Sequence, residues 1–126
     1  MTTLPRIVIA RSDHAKLMTL GDIAEDLFVE IDRARVVDDV RLPVDAVRMG
    51  SRVRYRTEDG DTKEVELVYP AEADIALGRI SVHTPVGTAL LGLRVGQSIK
   101  WRARSGRTST LMVEGVDQRE PAWVPV

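Results

Sequence analysis

The period of the hydrophobic pattern changes from about 3.6 residues to about 2 near residue 44, and this change divides the chain. Before it, apolar side chains recur at spacings of four, four and three residues, at Ile23, Leu27, Ile31 and Ala34. After it, the segment 52–57 alternates Arg with Val and Tyr, as a strand with one exposed face does. The sequence therefore predicts an α+β fold, with a helical region over 1–44 and a β domain over 45–126.

The helical region is predicted to hold two helices separated by Gly21. The first spans about 13–20, and Gly21 ends it because glycine readily takes the conformation that follows a helix. Asp22 is placed to begin the second, which we expect to run to about Val36. With so short a connection, the two helices would form an antiparallel hairpin. A short β-branched arm, Arg6–Ala10, precedes them and is typical of a strand.

The β domain is predicted to hold several strands and one short helix. The strands are expected at 52–57, 64–69, 79–83, 99–104 and 110–116. A turn with Asp-Gly separates the first two, which favours a β-hairpin. Thr84 and Pro85 offer an N-cap and a first helical residue for a helix that continues over about 86–91. Most neighbouring strands should therefore be antiparallel, with one face exposed.

The composition excludes several classes of function. The chain has 126 residues, a net charge of −1 and no cysteine, so it has no thiol nucleophile, disulfide or cysteine-bound zinc. Two histidines, His14 and His83, are too few for a metal site of the usual kind, and no catalytic motif is present. No apolar run is long enough to cross a membrane. We therefore expect a cytoplasmic protein that is not an enzyme and binds no metal, no cofactor and no membrane.

Three carboxylates gather at the predicted tip of the hairpin, at Asp22, Glu25 and Asp26. Carboxylates on a projecting tip could hold Mg²⁺, which prefers oxygen ligands. Acidic residues also favour the first turn of any helix, because the positive end of the helix dipole lies there. The second explanation is the commoner one, and the sequence predicts no metal at the tip.

Basic residues alternate along two predicted strands, at Arg52, Arg54 and Arg56 and at Lys100, Arg102 and Arg104. If the two strands were neighbours, these side chains would form one basic face that could contact RNA or phosphate. The alternative is the solvated face of a one-sided sheet, with Glu64 and Glu66 as partners across the hairpin. We favour this alternative, because any half-exposed antiparallel sheet needs such alternation.

One segment, ADIALGRISVHTPVGTALLGLRVGQSI at 73–99, carries a series of short motifs. They are Asp74-Ile75, Gly78, Ile80-Ser81, Thr84-Pro85, Ala89-Leu90, Gly92 and Gly96-Gln97. In this series the segment resembles the C-terminal domain of the Gre transcription factors, with Gln97 in place of the usual acidic residue. The branch called regulator of nucleoside diphosphate kinase is more similar still, through 32–37, 49–55, 67–71 and 85–96.

The resemblance implies an N-terminal antiparallel helical hairpin and an FKBP-like C-terminal β domain. It also implies binding to RNA polymerase, at the rim of the secondary channel, where a coiled coil of the β′ subunit is the contact. Carried over to this sequence, the contacting loop is His83, Thr84 and Pro85. Prolyl isomerase activity and sequence-specific DNA binding are not implied.

Gre factors stimulate RNA cleavage with acidic residues at the tip of a long hairpin, and the hairpin predicted here is short. About 15 residues in the second helix correspond to roughly 22 Å, and about 8 in the first to roughly 12 Å. Asp22, Glu25 and Asp26 should then stop short of the polymerase active site, so we expect competition with Gre factors rather than transcript cleavage. A Gre-like cleavage and elongation factor and a direct regulator of nucleoside diphosphate kinase remain alternatives. The oligomeric state stays open.

Overall fold

The computed structural model describes residues 4–21, 23–103 and 105–118, and in them the chain forms two β-sheets and three α-helices. The strands are β1 (Val8–Ala10), β2 (Arg35–Val37), β3 (Arg52–Thr57), β4 (Thr62–Val68), β5 (Arg79–Ser81), β6 (Ser98–Arg102) and β7 (Thr108–Asp117). The helices are α1 (Arg11–Met18), α2 (Glu25–Arg33) and α3 (Pro85–Leu90). This content confirms the predicted α+β class.

The larger sheet has five strands in the order β5-β4-β3-β7-β6. Its neighbouring strands are antiparallel except β4 and β5, which run parallel. The β3–β4 hairpin turns at Gly60, whose φ of 90° lies in the left-handed region that glycine takes most readily. Beside this hairpin, a shift in register between Arg54 and Tyr55 bends the β3–β7 pair. The predicted β-hairpin is confirmed.

One face of this sheet packs with the helices into the larger of two hydrophobic cores. Val53 and Tyr55 of β3 are buried while Arg54 between them is exposed, as the alternating pattern predicts. Leu27 and Ile31, two members of the predicted helical stripe, are buried in the same core. The helical region and the β domain therefore share apolar packing. The domain boundary near residue 44 stays a prediction.

The second helix is shorter than predicted. α2 has 9 residues, about 14 Å of helix. It begins at Glu25 after the N-cap Ala24, instead of at Asp22, and ends at Arg33 instead of continuing to Val36. Ala34, with a ψ of 148°, has already left the helical conformation. Val36 pairs with Ile9 in the parallel strands β1 and β2, because a β-branched side chain suits extended backbone.

The two N-terminal helices are supported by different elements. α1 lies against β1 and β2, whereas α2 lies against α3. The antiparallel hairpin and the FKBP-like description of the β domain stay predictions. None of the described helices is long and apolar enough to cross a membrane.

Other bounds shift by a few residues. The strand predicted at 79–83 ends at Ser81, because the following residues turn into α3. The strand predicted at 99–104 ends at Arg102, and Arg104 lies outside the described residues. The second strand of the hairpin and the last strand begin earlier than predicted, at Thr62 and Thr108.

Candidate partner-binding loop and adjoining groove

The β5–α3 loop and the start of α3 carry the residues to which the resemblance assigns the polymerase contact, His83, Thr84 and Pro85. Thr84 is the N-cap of α3, and its Oγ1 accepts a hydrogen bond from the Gly87 N–H at 3.0 Å. The same hydroxyl donates to the Ser81 carbonyl at 2.7 Å. Pro85 follows at the start of the helix, where a missing N–H leaves no acceptor unmatched. Short local bonds therefore fix the loop, and the N-cap is the one that the Thr-Pro pair predicts.

Two further contacts hold α3 close to the loop. The buried Thr88 donates its Oγ1 hydrogen to the Val82 carbonyl at 2.8 Å. Gly87 has no room for a side chain, since a Cβ there would lie 2.2 Å from the Ser81 carbonyl oxygen. No local sequence pattern signals that Gly87 must be a glycine. The close approach of the two backbones exists only in three dimensions.

His83 lies at the turn with one ring nitrogen unsatisfied. Its backbone N–H donates to the Ser81 Oγ at 3.0 Å. The residue is partly buried, and its Nε2 has neither solvent contact nor a hydrogen-bond partner in the part of the chain that the structure describes. A buried polar atom without a partner costs free energy. Because the atom is shielded from solvent, a docked protein could supply the partner only if the imidazole turned outward.

The carboxylates predicted for the hairpin tip do not gather into a cation site among the described residues. Asp22 lies outside those residues. Glu25 and Asp26 occupy the first turn of α2 and are exposed. The N-cap, Ala24, offers no side-chain acceptor to this turn. The two acids therefore match the commoner explanation, in which negative charge stabilises the positive end of a helix.

A groove of about 270 Å³ lies between α2, α3 and β6. Pro85 and Asp26 both line it, so one residue from each of the two predicted sites borders the same space. Its apolar lining includes Val29 and Trp101, to which the sequence assigned no role. The sequence carries a signal for Val29, because this apolar residue falls off the helical stripe of Ile23, Leu27 and Ile31. In the structure Val29 is 51% exposed.

The basic strand faces do not join into one surface. β7 lies between β3 and β6, so the strands are not neighbours. Arg52 and Arg54 instead lie 3.4 and 3.7 Å from the Glu64 carboxylate across the hairpin. Arg56 pairs with Glu114 of β7 at 2.9 Å. The cross-strand explanation favoured from the sequence is confirmed for β3.

A polar cluster that the sequence did not reveal joins α1 to the segment before β3. The Arg48 Nη2 lies 3.3 Å from a carboxylate oxygen of Asp13 and 3.3 Å from one of Asp39. Asp39 also accepts hydrogen bonds from the N–H and the Oγ of Ser12. Burial raises the pKa of Asp13 although Arg48 opposes the shift, whereas the bonds from Ser12 lower the pKa of Asp39. The cluster fixes α1 against the β domain.

Comparison with known proteins places this loop in a family domain. The family model described as "Transcription elongation factor, GreA/GreB, C-term" matches residues 42–118, more than half of the chain. The chain belongs to the GreA/GreB family. The matched residues include the β5–α3 loop, α3 and β6, but not α2.

The relatives include the predicted branch of this family. The regulator of nucleoside diphosphate kinase from Escherichia coli K12 is 45% identical over 92 residues, which cover 72% of this chain and 68% of the relative. The resemblance to that branch is thereby confirmed. The transcription elongation factor GreA from Rhodospirillum rubrum is 43% identical over 75 residues, which cover 59% of this chain and 48% of GreA. The chain therefore matches about half the length of that GreA.

Solved structures share the fold. The prokaryotic transcription elongation factor GreA/GreB from Nitrosomonas europaea matches with a TM-score of 0.69 at 36% identity, over 90% of this chain and 98% of that one. Gfh1 from Thermus aquaticus matches with a TM-score of 0.52 at 27% identity, over 74% of this chain and 60% of that one. The Gre-type fold predicted for the β domain thus has close structural counterparts.

Proposed function

We propose that this chain is a non-enzymatic transcription regulator of the Gre type, acting in the cytoplasm by binding RNA polymerase. The docking surface is the β5–α3 loop with His83, Thr84 and Pro85, and its site is the β′ coiled-coil rim of the secondary channel. Membership of the GreA/GreB family supports the partner. The structure of the loop supports the surface, because the loop belongs to the matched domain and its shape is fixed by its own hydrogen bonds.

A fixed loop suits a docking role for a physical reason. Binding orders side chains and loops, and that ordering costs free energy unless the surface is already in its bound shape. The Thr84 hydroxyl holds both the Ser81 carbonyl and the Gly87 N–H, so little ordering is left for the binding step.

We propose further that the chain competes with Gre factors for the rim and does not stimulate transcript cleavage. The helices that would carry acids into the channel have 8 and 9 residues, about 12 and 14 Å. Glu25 and Asp26 begin α2, and Leu27 in the same turn is buried in the core. These acids therefore lie close to the body of the protein instead of at the end of a long arm.

Two alternatives keep their own support. Relatives named transcription elongation factor favour a Gre-like cleavage and elongation factor. The printed name of the Escherichia coli relative favours direct regulation of nucleoside diphosphate kinase. Shortened RNA in stalled elongation complexes would favour the first alternative, and co-purification with the kinase would favour the second.

The direct experiment is binding of the purified chain to core RNA polymerase, with and without a competing Gre factor. We expect binding that the Gre factor displaces, together with unchanged RNA length when the chain is added to stalled complexes. Absence of binding at micromolar concentration would overturn the proposal. Binding that a Gre factor leaves unchanged would retain the partner and overturn the rim assignment.

A further inference from the structure

The groove between α2, α3 and β6 has an apolar floor and charged walls. Val29 and Ala89 contribute aliphatic surface from the two helices, and Trp101 contributes an aromatic ring from β6. Val29 is 51% exposed, although it belongs to a helix whose opposite face is in the core. Exposed apolar surface of this kind, bordered by charges, is typical of contact sites for other proteins.

The two walls of the groove differ in free charge. On the α2 wall, the Glu30 carboxylate is bonded to the Arg33 guanidinium at 2.5 and 3.1 Å, which leaves Asp26 as the other acid there. On the β6 wall, Lys100 and Arg102 are exposed and form no ion pair with any described residue. The unpaired charge of the groove is therefore net positive, which favours an acidic occupant.

Trp101 adds a hydrogen-bond donor without an acceptor. Its Nε1 is shielded from solvent and has no partner within the described ranges of the chain. Indole nitrogens usually find an acceptor when buried, because the unpaired donor otherwise loses its bond to water. Because water does not reach this N–H, a backbone carbonyl or carboxylate of a seated segment can accept from it only if the indole turns toward the groove.

We propose that the groove receives an acidic segment of RNA polymerase, which places an apolar side chain beside Val29 and Trp101 and a carboxylate beside Lys100 and Arg102. This rests on the proposed function and extends it: the groove continues from Pro85 of the docking loop, so one partner covers both. The loop sets where the protein docks, and the groove selects the sequence of the segment that it holds.

The test measures the affinity of three variants for core RNA polymerase at low and at physiological salt. Lys100→Glu should weaken binding by about tenfold, with the larger loss at low salt, since it reverses a charge beside the acidic segment. Trp101→Phe keeps an aromatic ring but removes the N–H and part of the apolar surface of the indole, and should weaken binding by about fivefold. Lys63→Glu makes the same charge change on the exposed part of β4 and should leave the affinity unchanged.

Each contrary outcome has a distinct meaning. Wild-type binding that Lys100→Glu and Trp101→Phe leave unchanged would overturn the groove and leave the proposed function intact. Absence of wild-type binding would overturn both. Equal losses in Lys100→Glu and Lys63→Glu would assign the effect to overall charge and overturn the groove. Self-association of the free chain that Lys100→Glu abolishes would assign the groove to a second copy and overturn the polymerase segment as its occupant.

Discussion

The β5–α3 loop and the first turn of α2 border the same groove, through Pro85 and Asp26, but they are stabilised in opposite ways. In the loop, one threonine hydroxyl binds a carbonyl and an N–H, and a glycine brings two backbones together. At the start of α2, Ala24 offers no side-chain bond and the acids that follow are exposed.

The β5–α3 loop is thus a surface with a fixed shape, whereas the first turn of α2 is defined mainly by its exposed charges. A fixed loop can match a partner closely, because its conformation is set before binding. An uncapped helix start gains stability from the acids themselves, so Glu25 and Asp26 have a structural role without any ligand. The contrast supports docking by the loop and argues against catalysis by the acids.

The largest effect should come from Gly87→Ala. The new Cβ would lie 2.2 Å from the Ser81 carbonyl oxygen, so the backbone of the loop has to move. We expect a loss of about 3 kcal/mol in the free energy of unfolding, measured in urea. Gly21→Ala is the matched control, because its Cβ meets nothing within 4 Å, and it should change stability by less than about 0.5 kcal/mol. Equal losses in both variants would contradict the close contact.

A smaller loss should follow Thr84→Ala. The change removes the N-cap bond to Gly87 and the bond to the Ser81 carbonyl, at a cost of about 1 kcal/mol. Thr84→Ser keeps the hydroxyl and serves as the control. Thermal unfolding of the two variants would separate the loss of the cap from the loss of the methyl group. If Ser and Ala were equally destabilising, the cap would not stabilise the loop.

A change at the N-cap of α2 should raise stability instead of lowering it. Ala24→Ser would place a hydroxyl at an N-cap whose φ of −61° and ψ of 147° are those of a capped helix. We expect a gain of about 0.5 kcal/mol in the free energy of unfolding, which chemical denaturation can resolve in a series of repeats. A loss of stability would show that the start of α2 is already satisfied in another way.

The start of α1 lies between these two cases, because it has no N-cap bond but does receive a side-chain bond from elsewhere. We expect the smallest effect on stability here, as a change in its dependence on pH. Its N-cap, Ala10, has no cap bond, and Asp39 accepts from the Ser12 N–H and Oγ instead. These bonds lower the pKa of Asp39 in the folded protein, so their stabilisation is present above the usual pKa of 3.8 and is lost as the pH falls below it. Asp13 acts in the opposite direction, because its pKa is raised.

Ser12→Ala should therefore flatten the fall in stability at acid pH. The effect at pH 7 should be a few tenths of a kcal/mol, since Asp39 is exposed and water screens its charge. Urea unfolding of the two proteins between about pH 3 and pH 7 would measure the difference. If the variant lost the same free energy of unfolding at every pH, Ser12 would not act through Asp39.

Local signals predicted some features well. The Thr84-Pro85 pair gave the cap of α3, and the spacing of Leu27 and Ile31 gave the buried face of α2, because both depend on neighbours within one turn of helix. The predicted end of α2 was wrong, because Val36 belongs to a strand whose partner, Ile9, is distant in sequence.

Features that join several elements could not be predicted in the same way. The groove requires α2, α3 and β6 at once, and no periodicity in one segment contains that information. The tight contact of Gly87 depends on where β5 ends, and the ion pairs of Arg48 depend on how α1 meets the β domain. Sequence patterns report the burial of single elements, whereas sites arise between elements.

The most direct test of docking by the β5–α3 loop compares two double variants for binding to core RNA polymerase. His83→Ala with Pro85→Ala removes the side chains of the docking loop, and Glu25→Ala with Asp26→Ala removes the described acids at the start of α2. We expect the affinity to fall by at least about tenfold for the loop pair and not to fall for the acidic pair, since Asp26 borders the groove that is proposed to hold an acidic segment. Thermal unfolding should show that both variants are folded. Unchanged binding by the loop pair, with a large loss in the acidic pair, would contradict docking by the loop.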